Sequence, residues 1–239
     1  MDEPLKRCRG CERYKPLTEF YKQKDGQFGR RAKCKSCFKK FSNSYTKKRT
    51  ELQNNTSNTL TNKEKERIME ECNYSCMLTG ANKEVDLDHF IPLNLGDIVF
   101  EYGIGGTTYE NMIPLTSSLN KSKGAQNPFT WFEKAKFKFN LDSNNWNKAL
   151  DYMAKKNKMT RSEYKNRINA CFIHFGIKKW VESLNYAVIN SHNPKASFYK
   201  AIEEGINIKV AVMRYGTDAS KKFVIKEKEM IRRLQESKK

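Results

Sequence analysis

Long apolar runs are missing from this chain of 239 residues. No stretch approaches the roughly 18 consecutive apolar residues that a membrane-spanning helix needs, so the chain is expected to be soluble, with no membrane to span. The opening Met-Asp-Glu-Pro-Leu-Lys-Arg lacks the apolar core of a secretory signal, which makes the cytoplasm the expected location. Nothing else suggests secretion, and disulfides are therefore a poor expectation for the seven cysteines. Histidine is scarce, with three in the whole chain, so few side chains are available for proton transfer near neutral pH. No internal repeat is evident. Acidic side chains are also in deficit: 27 Asp and Glu stand against 46 Lys and Arg, leaving a net charge of +19 and a pI near 9.6. Such an excess points to a polyanion, nucleic acid first and an anionic membrane surface second. What is present suffices for packing, because a 38% hydrophobic chain with 14 Phe and 11 Tyr can build one large core or two to three small ones.

The positive charge is uneven. Residues 63–124 carry six Lys and Arg against ten Asp and Glu, a local charge of −4, while residues 1–40 carry +8 and residues 125–239 carry +13. An acidic centre with basic flanks suggests grips on a polyanion on both sides, where Lys and Arg displace counterions from phosphate.

The first flank contains Cys8-Arg9-Gly10-Cys11 and Cys34-Lys35-Ser36-Cys37, with 22 residues between the pairs. Two CxxC knuckles at that distance form a strong signature for tetrahedral zinc on Cys8, Cys11, Cys34 and Cys37. The segment has too few apolar residues for a core of its own, so the metal would supply most of its folding energy. By contrast, the CxxxC of Cys72 and Cys76 has no second pair, and these two are expected to be buried thiols, as is the isolated Cys171.

The central stretch runs from Val85 to Gly124. Val85 and Leu87 before the Asp88-His89 pair suggest a short strand, and Met112 to Leu115 a second that Pro114 keeps at an edge. A short helix follows, with a cap among Thr116, Ser117 and Ser118, an apolar edge of Leu115 and Leu119, and a stop at Gly124. The Asp-His pair, Asn111, and a second Asn nine residues later at 120 resemble the HNH, or His-Me finger, endonucleases with a ββα-metal fold. The string from Asp86 to Pro92 with that from Leu115 to Gly124 is similar to the HNH domain of RNA-guided nucleases in particular. The segment around Pro16 to Tyr21 resembles zinc ribbons that precede such cores in some phage and restriction nucleases. The likeness covers about 40 residues of the centre.

The resemblance implies a metal-dependent DNA endonuclease leaving 5′-phosphate and 3′-hydroxyl ends, with His89 as general base, Asp88 and Asn120 as ligands of Mg²⁺ or Mn²⁺, and Asn111 orienting the loop that carries the histidine. If the gene is phage-borne, the location would be a bacterial host cell. Hydrolysis of a phosphodiester needs a deprotonated water and a cation to absorb charge, and two hard oxygen ligands suit a metal that keeps several waters. Double-stranded DNA is the implied partner. Arg30, Arg31, Lys33, Lys35, Lys121 and Lys123 are the expected phosphate contacts, and monomer and homodimer both stay open. The alternative is a zinc-containing DNA-binding protein whose HNH unit is not catalytic. Strict strand alternation would put Asp88 and His89 on opposite faces, so the strand should end or distort there.

The expected fold class is α+β, mostly helical: a Cys₄ ribbon over residues 1–40, a polar basic linker over 41–62 with a helical start near Tyr45 to Leu52, a ββα core over 63–126, a helical region over 127–195, and a basic helical tail over 196–239. Thr61 to Glu64 predicts a capping box, as does Thr160 to Glu163, and Asn127-Pro128 predicts a third helix start. Stripes of Trp146, Ala149, Leu150 and Met153, and of Tyr164, Ile168, Phe172 and Phe175, predict core-facing helices. His174 and His192 have no ligand-like neighbours and are expected to be structural or solvent-facing. The tail admits a helix-turn-helix or plain helical packing.

Overall fold

The computed structural model describes residues 4–190 and 193–237, which divide into two compact units, residues 1–55 and 56–239. The fold is α+β and mostly helical, with two small sheets among the described residues.

In the first unit, β1 (Leu5–Arg7) pairs antiparallel with β2 (Tyr14–Pro16), and the turn between them is closed by Cys8 N donating to Arg13 O at 2.9 Å and Glu12 N to Cys8 O at 2.8 Å. The buried apolar side chains here are Cys8, Phe20 and Cys34. A core this small cannot offset the chain entropy of some fifty residues, as the composition implied. The unit closes with α1 (Lys35–Asn54), which begins inside the second CxxC knuckle and runs through most of the stretch expected to be a linker. That expectation is corrected: the boundary falls at residue 55, and the polar composition belongs to a helix whose described side chains from Lys39 to Glu51 are all exposed. A helix with no buried face leaves no periodic signal in its sequence.

The second unit begins with residues 56–60, where Thr59 N and Leu60 N donate to Thr107 O and Thr107 N donates to Ser57 O at 2.7 Å. Helix α2 (Asn62–Glu71) opens on the expected capping box of Thr61 and Glu64. Strand β3 (Val85–His89) is followed by a long loop containing the one-turn helix α3 (Ile98–Glu101), then by β4 (Met112–Thr116). The two strands are antiparallel, with Asp88 opposite Ile113 and His89 opposite Met112. Helix α4 (Ser117–Lys123) packs on both strands and stops at Gly124, whose φ of +48° favours glycine.

Helices α5 (Pro128–Lys138), α6 (Ser143–Lys156) and α7 (Arg161–Ile189) enclose this unit, with caps from Asn127, Asp142 and the Thr160 and Glu163 box. The predicted stripes face the core: Trp146, Ala149, Leu150 and Met153 on α6 and Tyr164 and Ile168 on α7 are buried, and Phe172 and Phe175 on α7 are half-buried against the same cluster. Phe90, next to His89, is buried between Trp146 and Tyr164 at ring-centroid distances of 5.9 and 6.0 Å. Burying an aromatic side chain this fully is worth about 3 to 5 kcal/mol against truncation, so the end of β3 is anchored by the helices behind it.

Helix α7 is long enough to serve two cores. Its first half completes the one around Phe90; its second half, through Trp180, Val181 and Leu184, packs against α8 (Ala196–Glu203), α9 (Ile208–Tyr215), α10 (Asp218–Lys226) and α11 (Lys228–Glu236). The tail is therefore tied to α7 rather than beginning afresh at residue 196. Arg214 on α9 is held by Glu101 at 2.7 Å, and the exposed positions of that helix include Lys209, Val210, Met213 and Arg214. No helix among the described residues is long and apolar enough to cross a membrane.

Candidate functional site

Two places gather the chemistry-bearing residues, one in each unit. In the first, the ligand sulfurs of Cys8, Cys11, Cys34 and Cys37 all lie within 4.8 Å of one another, and none is in a disulfide. Four sulfurs on a metal with Zn–S bonds of about 2.3 Å must sit about this close, so the set fits a tetrahedral ion such as zinc. Gly10 N and Cys34 N each donate to Cys8 Sγ at 3.2 Å, and the Ser36 hydroxyl lies 3.3 Å from Cys34 Sγ. Burial alone would raise the Cys8 thiol, but backbone N–H groups of Cys34, Cys11 and Gly10 bring it down to about 6. Cys37 is pushed up to about 12, first by its contact with Cys34 and then by burial and the other thiols. A cation removes that competition, because it favours all four thiolates together. Gly10 is required by space: a Cβ there would lie 2.9 Å from Cys37 Cβ.

Of the four basic residues expected beside this cluster, Arg31 and Lys35 are exposed and Arg30 and Lys33 half-buried. Among the described residues these four cysteines are the one group of three or more His, Cys, Asp or Glu placed to share an ion. Cys72 and Cys76 take no part in it; Cys76 is buried, and burial raises the half-buried Cys72 thiol. Burial also raises the Cys171 thiol, to about 12.

The second place is the end of β3. The strand runs through Asp88 and stops at His89, where alternation sends the two side chains to different partners. His89 is buried, and its Nε2 lies 2.9 Å from the Thr107 hydroxyl. Asn111 is also buried: its Oδ1 accepts from Ile91 N at 2.8 Å, and its Nδ2 donates to Ile91 O at 2.9 Å and Gly106 O at 2.7 Å. Those three bonds clamp the segment after His89 to the turn that carries Thr107. Gly106 must be glycine, because φ is +76° and a Cβ would fall 2.6 Å from Ser57 O.

Asp88 forms an ion pair with Lys123, Nζ to Oδ2 2.9 Å, and Lys123 also donates to His89 O at 2.8 Å. The expectation that Lys123 meets phosphate is corrected. Its side chain is 2% exposed, because α4 packs its Leu119 and Lys123 edge onto the strands. Lys121, two residues earlier and about 200° away around the helix, is exposed and stays available. Asn120 is half-buried and lies one turn before Lys123, on the same side of α4.

Sequence reasoning missed Thr107 and the inward role of Lys123. Thr107 sits in a Gly-rich turn with no periodic signal, and its backbone is fixed by residues 57–60, far away in sequence. Lys123 carried one usable sign: it follows the buried Leu119 at i+4.

Two other polar clusters surround these elements. Glu71 accepts from the hydroxyls of Tyr109 and Tyr152 and from Arg67 Nε at 2.8 to 2.9 Å, while Lys156 Nζ donates to Met112 O at 2.9 Å, across the ladder from His89. Burial lowers the Lys156 ammonium to about 8. His174, expected to be structural or solvent-facing, is buried between the hydroxyls of Tyr102 and Tyr215; His192 lies outside the described residues. Compared with known proteins, the chain matches no protein-family model, no curated protein and no solved structure.

Proposed function

We propose that the chain is a metal-dependent DNA endonuclease whose active site is the end of β3 with α4, and whose first unit is a zinc-bearing DNA-binding module. The observation that carries this reading is the packing of α4 against the β3–β4 pair, which sets Asp88 and the backbone of His89 against the helix that bears Asn120. That arrangement is a strand, strand and helix unit of the kind the HNH resemblance implies.

Asp88 and Asn120 would hold one Mg²⁺ or Mn²⁺. The donor set is hard oxygen, which suits these ions, and one carboxylate oxygen of Asp88 is already engaged by Lys123. When bound, the ion supplies positive charge against the phosphoryl and leaving oxygens. His89 accepts a proton from water as the water oxygen attacks phosphorus in line; the bond to the 3′ oxygen breaks, and that oxygen leaves as a hydroxyl on taking up a proton. Thr107 at Nε2 and the Asn111 clamp keep the imidazole from rotating away, which matters because general-base catalysis depends on a fixed approach. Affinity comes from the basic regions, since residues 1–55 carry 16 Lys and Arg against 6 Asp and Glu.

One observation favours a second reading. The Lys123 ammonium, 2.9 Å from Asp88, supplies the carboxylate with a counter-charge of its own, as it would in a DNA-binding protein that has given up catalysis. Incubation of supercoiled plasmid with and without Mg²⁺ or Mn²⁺ separates the two. Nicked or linear product that needs the divalent ion supports the nuclease, and a salt-sensitive gel shift with no product over a range of divalent ions refutes it.

A further inference from the structure

The first unit carries three aromatic rings that a grip on duplex phosphates leaves unused. Tyr21 and Phe38 meet edge to face with ring centroids 5.4 Å apart, and Phe41 follows Phe38 by three residues, on the same face of α1. Each ring has its own cation. The Arg31 guanidinium lies 4.5 Å from the centre of Phe38, Lys33 Nζ 4.1 Å from that of Phe41, and Lys35 Nζ 6.0 Å from that of Tyr21. Phe41 is 55% exposed and Tyr21 37%. Among the described residues no carboxylate pairs with these three cations. Single exposed rings are ordinary on a protein surface; two exposed rings, Tyr21 and Phe41, flanking the half-buried Phe38, each of the three with a cation against it, are not.

A duplex would use only the charges of such a strip, because its bases are stacked on one another. In a duplex the base faces are covered by their neighbours in the stack, so a base can lie on one of these rings only where the strand is unpaired and unstacked. An unpaired strand offers one charge and one π face per nucleotide, matching one cation and one ring. We propose that Tyr21, Phe38 and Phe41 with Arg31, Lys33 and Lys35 form a binding strip for single-stranded DNA, in which bases take the ring faces and the cations swing from the rings to the phosphates. This rests on the reading of the chain as a DNA-acting protein, and it narrows the substrate to DNA with an unpaired segment, such as a gap, flap or fork.

The test is fluorescence anisotropy with the full chain, zinc present and Mg²⁺ omitted. The probes are a single-stranded DNA oligonucleotide, an abasic oligonucleotide of the same length and charge, a blunt duplex, and an RNA strand of the same sequence. The single strand should bind more tightly than the abasic strand, and Phe41→Ala should weaken only the former, by roughly 5- to 150-fold, with the salt slope unchanged. Lys33→Ala should instead lower that slope by about 0.7. Phe41 is exposed, and zinc content reports whether the variant keeps its fold. Equal affinity for the natural and abasic strands, or no loss in Phe41→Ala, overturns the strip. RNA bound tenfold more tightly than DNA overturns the assignment to DNA. No cleavage is measured, so absence of nuclease activity leaves these outcomes untouched.

Discussion

Replacing Lys123 with Met tests the candidate site without relying on catalysis. The substitution keeps an unbranched side chain of similar length but removes the ammonium, leaving the Asp88 carboxylate without its ion-pair partner at 2.9 Å and the His89 carbonyl without its donor at 2.8 Å. Removing one partner of a buried pair costs about 3 to 5 kcal/mol, and Asp88, with 14% of its side chain exposed, should fall at the low end. For a unit of residues 56–239, each kcal/mol lowers Tm by about 2 to 4 °C, so a fall of roughly 6 to 12 °C is expected. Urea unfolding followed by the fluorescence of Trp131 and Trp146, which lie in the same core, reads the change. Two controls give the cause. Adding Asp88→Asn to Lys123→Met should recover most of the loss, because the uncompensated charge is gone. Saturating Mg²⁺ should also stabilise Lys123→Met more than the parent, since an ion that prefers the folded state adds about 2.7 kcal/mol at a hundred times its Kd. If Lys123→Met unfolds within 1 kcal/mol (roughly fivefold in the folding constant) of the parent and neither control moves it, the ion pair is not part of the site.

Three further outcomes are expected. Cys34→Ser should release the metal and unfold residues 1–55 while leaving the transition of residues 56–239 in place, as zinc stoichiometry and calorimetry would record; a variant that keeps its zinc contradicts the assignment. His89→Ala should lose about 10²- to 10⁴-fold in cleavage rate yet still bind DNA, and extra Mn²⁺ should not rescue it, whereas Asp88→Ala should respond to added metal; a His89→Ala rate equal to the parent's removes the histidine from the mechanism. Lys156 has its folded-state pKa lowered by burial to about 8, so the unfolded chain holds the extra proton between pH 8 and the ordinary lysine value. Stability should therefore rise with pH in that window, by about 1.4 kcal/mol per unit relative to Lys156→Met, and a stability difference that stays flat from pH 8 to 10 (the unshifted lysine pKa being about 10.4) refutes the shift.

Much of the architecture was legible because local chemistry specified it. Thr61 and Glu64, Thr160 and Glu163, and Asn127-Pro128 start helices by satisfying orphan N–H groups within one turn, so their effect does not depend on distant packing. The spacing of the two CxxC pairs likewise foretold a four-sulfur cluster, since each pair supplies two ligands from one knuckle and the short segment between them has little else to fold on. The strands on either side of the long loop and the helix after them were visible from apolar pattern and Pro114.

What escaped the sequence was decided by contacts between residues far apart along it. Lys123 reads as a surface cation in a basic chain, and only the docking of α4 on β3 turns its side chain inward onto Asp88, where a carboxylate and a carbonyl take the place of water. Thr107 became a partner of His89 because residues 57–60 hold its backbone from the other end of the unit and Asn111 holds the turn. Only the Tyr45 to Leu52 part of α1 was expected to be helical, because a helix exposed along most of its length leaves little periodic mark from which to read its bounds. Periodicity and capping act over one or two turns and are written into neighbouring residues; the burial of a charge depends on which surface arrives above it, and that is set by packing across the whole unit.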